Sequence, residues 1–273
     1  MKEGTIRVSS TQLKSETCKD DNIRKIEIYT KKASELQSDL VVYPESFMFY
    51  SPVEETADIR AVKAESIDGR FVTRIRELSR DYGISQIVGI HESIPGDKRV
   101  YNTVVVVDKK GEIATVYRKT HLYDAFNFRE SLIYKASGNA FQIFELNGMK
   151  IGMMVCYEIR FPEIARSLTV QGADLIVVPS AWVRGFGKEE QWLTLIKARA
   201  LENTVYVVTS NQIGNVYAGI TSVVDPMGII ISRTSEDEGM VTVDISKERV
   251  EQVRRNLPSL SQRRTELYSV TQG

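Results

Sequence analysis

Two pairs of similar segments recur in the same order along the chain and suggest a duplicated unit. SDLVVYPES at 38–46 matches ADLIVVPSA at 173–181, and TVVVVDKKGEI at 103–113 matches ITSVVDPMGII at 220–230. One match between short strand-like patterns can arise by chance, whereas two in the same order are harder to explain in that way. The repeat is too long for a solenoid. We therefore expect two similar halves.

Each half has the same predicted order of elements, β-α-β-α-β-β-β. The predicted strands are 5–11, 38–43, 85–92, 100–107, 112–117, 150–155, 174–178, 204–210, 220–224 and 229–232. The predicted helices are 20–36, 69–82, 162–171 and 189–202. In each half, helices cover one face of a sheet and leave the other face bare. Burying the two bare faces against each other predicts an α/β fold, a four-layer α-β-β-α sandwich formed by residues 1–273 as a single domain.

Composition excludes several classes of function. Thirty-six basic residues balance thirty-six acidic ones, so no basic excess indicates a nucleic-acid or anionic-membrane partner. No stretch approaches the roughly 18 apolar residues of a membrane span, and the N-terminal MKEGTIRVSS lacks the apolar core of a signal peptide. Two cysteines and two histidines provide neither a disulfide framework nor a zinc motif. We expect a cytoplasmic protein without a metal.

Cys156 lies where a buried-type strand ends. The apolar run 151–155 precedes it, polar residues follow, and Phe161-Pro162 predicts a helix with proline in its first turn. A cysteine on such a turn can project its sulfur from the end of a sheet, as a nucleophile should. Most free cysteines are small apolar core residues, however. Judged by its position alone, Cys156 is therefore better interpreted as a core residue, and the catalytic interpretation depends on the rest of the chain.

Two charged residues also follow strand ends, in the first half of the chain. Glu45 comes just after one strand and Lys119 after another, and Ser180 is the counterpart of Glu45 in the second half. Strand ends from two similar halves should meet along one edge of the sandwich, so a carboxylate, an ammonium and a thiol can converge there. The alternative for Glu45 and Lys119 is an ordinary surface ion pair.

Three separated motifs resemble the signatures of the nitrilase superfamily of carbon–nitrogen hydrolases. They are VVYPESF around Glu45, YRKTHLYD around Lys119 and GMMVCYEIRFPE around Cys156. The resemblance extends over nearly the whole chain through FRES at 128–131, ADLIVVPSAW at 173–182 and KARALENTVYVVTSNQIG at 197–214. It implies the same four-layer fold, a Glu45–Lys119–Cys156 catalytic set and a supporting role for Glu130, for which helix capping is the alternative.

These residue types fit amide hydrolysis through a thioester. Glu45 would take the proton of Cys156 and later activate water. Lys119 and the backbone N–H of Tyr157 would stabilise the oxyanion. Glu130 would help to fix Lys119 and the substrate amide. This chemistry needs no metal or organic cofactor.

The residues after Cys156 bear on the substrate. Tyr157-Glu158 and the following RFPE resemble the amidase branch of the family, which includes ω-amidase and deaminated-glutathione amidase. The typical motif of that branch is CYD-RFPE, whereas true nitrilases usually carry tryptophan and glutamate directly after the cysteine. Glu158 in place of aspartate is a departure from that pattern. We expect a small aliphatic or ω-carboxamide substrate, with a nitrile as the alternative. N-carbamoyl amino acids are less favoured, because the longer insertions of that branch are absent before Cys156.

Tyr157, Arg160, Ser180 and Trp182 are candidates for substrate binding. Trp182 could line a pocket or simply pack. Arg160 could face a substrate carboxylate, although pairing with Glu163 is slightly favoured. For His121, a structural hydrogen bond near Lys119 is favoured over general-base catalysis.

Two other classes of function stay open: a catalytically idle oligomeric binding module, and a redox-sensing thiol at Cys156. The second is weakened because no resolving cysteine lies nearby in the sequence. The resemblance also implies a homodimer or higher homo-oligomer that associates through 161–171. Because the segment 247–273 has little apolar content of its own, we predict a C-terminal tail at a subunit interface.

Overall fold

The computed structural model describes residues 2–52 and 55–268. The strands are β1 Thr5–Gln12, β2 Leu40–Val42, β3 Ser85–Ser93, β4 Val100–Val107, β5 Ile113–Arg118, β6 Asp124–Ala125, β7 Phe128–Arg129, β8 Ile143–Leu146, β9 Met149–Met153, β10 Leu175–Ser180, β11 Tyr206–Asn211, β12 Ile213–Gly214, β13 Tyr217–Ala218, β14 Ser222–Val224, β15 Ile230–Arg233 and β16 Gly239–Ser246. The α-helices are α1 Lys19–Glu35, α2 Ala57–Lys63, α3 Arg70–Tyr82, α4 Pro162–Val170, α5 Lys188–Asn203 and α6 Lys247–Asn256.

Two six-stranded sheets form the inner layers. Their strand orders are β16-β1-β2-β3-β4-β5 and β15-β14-β11-β10-β9-β8. Fully buried aliphatic side chains from both sheets meet in one core cluster, which includes Ile6, Val8, Leu40, Val42, Ile151, Met153, Leu175 and Val177. Burying one such side chain contributes about 1.5–3 kcal/mol, so the contact between the sheets is a main source of stability.

Helices cover the outer face of each sheet. In the first half, apolar residues of α1 and α3 pack on the sheet; in the second half, residues of α4 and α5 do so. The helical members of these two clusters include Ile26, Ala33, Phe71, Ile75, Ile164, Leu168, Ile196 and Ala200. The layers therefore run α-β-β-α, and the four-layer prediction is confirmed.

The structure also contains elements that the sequence patterns did not predict, namely α2, β8, β16, α6 and the short strand pairs β6–β7 and β12–β13. The most consequential is β16, which pairs antiparallel with β1 from Thr5↔Ser246 to Gln12↔Gly239. The chain therefore returns from the second half to extend the sheet of the first. Most of β16 is only partly buried, which explains its weak hydrophobic signal.

The segment after β16 begins as a helix and not as a polar tail. Val250 and Val253 of α6 are buried, and Val250 belongs to the core between the sheets. Lys247–Asn256 does have little apolar content, but both of its valines are buried against the rest of the chain. An interface role stays a prediction, and residues 269–273 of the predicted tail lie outside the described part. Within the described part, the helices are not of the length and apolarity that crossing a membrane requires.

Candidate active site

Cys156 occupies a strained turn between β9 and α4. It opens the 3₁₀ helix Cys156–Arg160 and has a φ of 48°, in the left-handed region that non-glycine residues rarely adopt. Such a conformation costs about 1–3 kcal/mol and persists only where the surroundings enforce it. Pro162 begins α4 shortly afterwards, as predicted. The turn thus separates the thiol from both regular elements.

The backbone around Glu45 lies directly against β3. A Cβ at Gly89 would come within 2.5 Å of the Ser46 nitrogen and 2.6 Å of the Pro44 oxygen, so only glycine fits. On the other side, the Ala181 N–H donates to Glu45 Oε2 at 2.8 Å. Ala181 directly follows Ser180, the counterpart of Glu45. The two halves therefore meet at this carboxylate.

Lys119 joins two carboxylates in the interior. Its Nζ lies 2.9 Å from Glu45 Oε1 and 3.0 Å from Glu130 Oε1. The exposed fractions of Lys119, Glu45 and Glu130 are 2%, 4% and 5%. The surface-pair alternative is therefore wrong. A buried cluster of this kind depends on every partner, because removing one leaves an uncompensated charge.

The electrostatics of the cluster determine which groups carry protons. Burial opposes charge on Lys119, but Glu130 and Glu45 outweigh it and raise the pKa of the ammonium well above its ordinary value. Burial also opposes charge on Glu130 and therefore raises the pKa of its carboxyl group, whereas the charge of Lys119 lowers that pKa. For Cys156, burial and then the charge of Glu45 raise the thiol pKa well above its ordinary value, although Lys119 opposes this. Cys156 therefore rests as a thiol and needs a base before it can attack.

Asn102 of β4 also connects the two carboxylates. Its Nδ2 donates to Glu45 Oε1 at 2.7 Å and lies 3.3 Å from Glu130 Oε1. Since both partners are acceptors, the amide nitrogen must face them. We did not anticipate this role from the sequence, although a single amide within the apolar run VYNTVVVV was an available signal.

Glu158, the departure from the family pattern, is fully buried and links the loops of Lys119 and Cys156. It accepts hydrogen bonds from the Thr120 N–H at 2.7 Å, the Val155 N–H at 2.8 Å and the Tyr117 hydroxyl at 2.8 Å. Thr120 follows Lys119, and Val155 precedes Cys156. Glu158 is therefore a positioning residue that sequence reasoning did not identify.

These side chains border a cavity of about 530 Å³. Glu45, Lys119, Glu130 and Cys156, all predicted as catalytic, line it together. Aromatic rings form much of the remaining wall, namely those of Phe49, Tyr50, Tyr123, Phe126, Phe128, Tyr134 and Tyr217. In the described part of the chain, no group of three or more histidine, cysteine, aspartate or glutamate residues is arranged to hold a metal ion.

The four predicted substrate-binding residues do not line this cavity. The Ser180 side chain is fully buried and donates to the Val178 carbonyl, and its role in substrate binding stays a prediction. Trp182 packs against Trp192, and its Nε1–H donates to the Lys188 carbonyl. Trp182 therefore packs in the interior, as in the second of the two interpretations given for it.

The side chains of Tyr157 and Arg160 pack against aromatic rings. The Tyr157 ring packs edge-on against Tyr123. Arg160 stacks over Trp182 and donates to Gln191 Oε1 at 2.7 Å, so the expected pair with Glu163 is wrong. A role in substrate binding for these residues stays a prediction.

Fold and site together define an enzyme class, the thiol-containing hydrolases of the nitrilase type. The family model described as carbon-nitrogen hydrolase matches residues 7–255, and this chain belongs to that family. It is an amidase-type enzyme that cleaves the C–N bond of a small amide.

Two curated relatives are similar over most of their length. One is the deaminated glutathione amidase of Escherichia coli O157:H7, 39% identical over 85% of this chain and 87% of the relative. Another is the 2-oxoglutaramate amidase of Bacillus subtilis (strain 168), 30% identical over 91% of this chain and 93% of the relative.

Solved structures agree with the fold. The C. elegans NitFhit protein superposes with a TM-score of 0.89 and 29% identity, covering 98% of this chain and 67% of that one. An amidase from Nesterenkonia sp. superposes with a TM-score of 0.83 and 25% identity, covering 98% of this chain and 97% of that one.

Proposed function

We propose that the protein hydrolyses a small aliphatic or ω-carboxamide to a carboxylic acid and ammonia through a thioester on Cys156. The observation that carries this proposal is the convergence of Glu45, Lys119, Glu130 and Cys156 on one cavity. The name of one relative, 2-oxoglutaramate amidase, supports an ω-carboxamide, because 2-oxoglutaramate has a terminal carboxamide group.

Acylation begins with proton transfer from Cys156 Sγ to the Glu45 carboxylate. The sulfur attacks the amide carbonyl carbon, and negative charge develops on the carbonyl oxygen. Lys119 Nζ and the Tyr157 N–H stabilise this oxyanion. The amide nitrogen then takes the proton from Glu45, the C–N bond breaks and ammonia leaves. Cys156 keeps the acyl group as a thioester.

Deacylation reuses the same base. Glu45 takes a proton from water while the water oxygen attacks the thioester carbonyl carbon. The C–S bond breaks, the acid leaves, and the proton held by Glu45 returns to sulfur. Glu130 stays bonded to Lys119 throughout, and the Tyr123 N–H donates to its other oxygen at 2.5 Å. Glu130 therefore keeps the ammonium in place.

The decisive experiment measures ammonia release from a panel of aliphatic amides, ω-carboxamides and nitriles. Cys156→Ala should lose ~10³-fold or more of the activity, whereas Cys18→Ala, which changes an exposed cysteine, should retain it. Mass spectrometry of the wild type should detect an acyl adduct on Cys156. Absence of turnover across the panel, together with absence of an adduct, would favour the idle binding module.

The protein is also proposed to be cytoplasmic and homo-oligomeric. Both cysteines are free, which suits a reducing compartment. Val170 at the end of α4 and Leu201 near the end of α5 are exposed apolar residues that an interface would cover. Sedimentation of wild type and of Val170→Asp should give a dimer or larger assembly that the variant weakens. A monomeric wild type would contradict the proposal.

A further inference from the structure

Away from Lys119, the charged side chains that line the cavity are unpaired cations. Arg60, Arg184 and Lys188 line it, whereas the two lining acids, Glu45 and Glu130, both bond to Lys119. None of these three cations forms a salt bridge with any residue in 2–52 or 55–268. The cavity thus carries positive charge that the described residues leave uncompensated, and it suits an anionic ligand.

Lys188, at the start of α5, is the best placed of the three. Arg60 is buried and uses Nε and Nη2 on the Ser51 hydroxyl. Within the described residues, Lys188 Nζ forms one hydrogen bond, a long one of 3.5 Å to the Tyr123 hydroxyl. An ammonium has three N–H donors, so at least two stay available for a ligand.

Aromatic rings hold Lys188 in position without neutralising it. Its Nζ lies 3.8 Å from the ring centroid of Phe126, 5.6 Å from that of Tyr123 and 5.8 Å from that of Trp182. Such faces attract a cation but add no negative charge that an incoming anion would have to displace.

The surrounding charges favour an anion as well. Arg160 stacks on the same Trp182 ring, and its charge, after burial, lowers the pKa of Lys188. Arg184, four residues before Lys188, lines the same cavity, and among the described residues its guanidinium donates a hydrogen bond to the Tyr217 carbonyl alone. The acids of the first turn of α5, Glu189 and Glu190, do not line it.

We propose that Lys188, assisted by Arg184, binds a carboxylate at the end of the substrate remote from the scissile amide. The preferred substrate is then an ω-carboxamide acid and not a neutral aliphatic amide. This inference rests on the proposed function and deepens it, because it assigns the choice of substrate to a residue outside the catalytic cluster.

The test compares glutaramate with valeramide, which has a methyl group in place of the carboxylate. Wild type should prefer glutaramate in kcat/KM, and Lys188→Met should reduce that preference about tenfold, through a raised KM for glutaramate. Lys188→Arg should retain most of the preference. Lys197→Met, which changes an exposed lysine of the same helix, is the matched control and should leave both rates unchanged.

A second measurement needs only the wild type. Glutarate should inhibit valeramide hydrolysis competitively, and the inhibition should weaken as salt screens the charges. The inference is overturned by equal efficiency of wild type on the two amides, by an equal loss on both in Lys188→Met, or by absence of glutarate inhibition. Each of these outcomes leaves the thioester mechanism intact, whereas absence of turnover on every amide would overturn the proposed function itself.

Discussion

Glu158 Oε1 accepts a hydrogen bond from the Thr120 N–H at 2.7 Å, although the two residues are 38 positions apart. Its other oxygen accepts from the Val155 N–H at 2.8 Å. One buried carboxylate therefore connects the residue after Lys119 with the residue before Cys156. The relative placement of the ammonium and the thiol depends on this link.

We predict that Glu158→Gln lowers kcat by about 10–100-fold and destabilises the fold by about 1–3 kcal/mol, because an amide cannot accept from all these donors. KM should change little, since Glu158 does not line the cavity. Steady-state kinetics and denaturant unfolding measure both effects. Glu163→Gln, which changes an exposed acid, is the control. Unchanged kcat in a folded Glu158→Gln variant would contradict the positioning role.

Removing Lys119 should affect stability and activity separately. Lys119→Met leaves Glu45 and Glu130 buried without their cation, so we expect a loss of about 3–5 kcal/mol in unfolding free energy. Adding Glu130→Gln removes one of the uncompensated charges and should restore part of the stability without restoring ammonia release. Chemical denaturation and an ammonia assay measure the two properties. If the losses of unfolding free energy in Lys119→Met and Glu130→Gln simply add in the double variant, Lys119 and Glu130 do not act as a pair.

The thiol pKa of Cys156 offers a test of the electrostatics. Burial and the charge of Glu45 raise it, and Lys119 lowers it. Thiolate absorbance against pH, in a Cys18→Ala background, should therefore give a pKa above the ordinary cysteine value. Glu45→Gln should lower this pKa, since a like charge is removed, and Lys119→Met should raise it further. A wild-type thiolate at neutral pH would contradict the need for a base.

Gly89 should be essential for the position of Glu45. In Gly89→Ala the new Cβ would lie 2.5 Å from the Ser46 nitrogen, so the segment around Glu45 has to move. We expect more than tenfold loss of kcat, because small displacements of a catalytic group are costly, together with a lower Tm. Gly138→Ala is the control, since its Cβ would meet no atom within 4 Å. Equal behaviour of the two variants would refute the steric argument.

Glu45, Lys119 and Cys156 could be located because each follows a predicted strand end, whereas Glu130 was predicted from the family resemblance alone. Apolar runs identify strands locally, and one pair of repeated segments places Glu45 and Ser180 at equivalent positions in the two halves. Asn102 and Glu158 could not be assigned in the same way. Their partners are distant in sequence, as when the Asn102 amide reaches Glu45 across 57 positions.

The choice of substrate-binding residues shows the same limit. Ser180 and Trp182 lie in the right segment, yet their side chains point into the protein, and the neighbouring Ala181 and Val183 line the cavity instead. A shift of one residue along an extended segment reverses the direction of a side chain. Local patterns therefore locate the segment that borders the cavity, but they do not decide which of its side chains face the cavity.

By itself the sequence determined the layers through hydrophobic periodicity, and it located the thiol, the ammonium and the carboxylates through strand ends and family motifs, because all of these are local properties. Only the tertiary structure decided that β16 completes the first sheet, that Glu158 joins two loops and that Lys188 faces the cavity. Those features depend on contacts between residues far apart in the chain, which form only when both sheets have packed against each other.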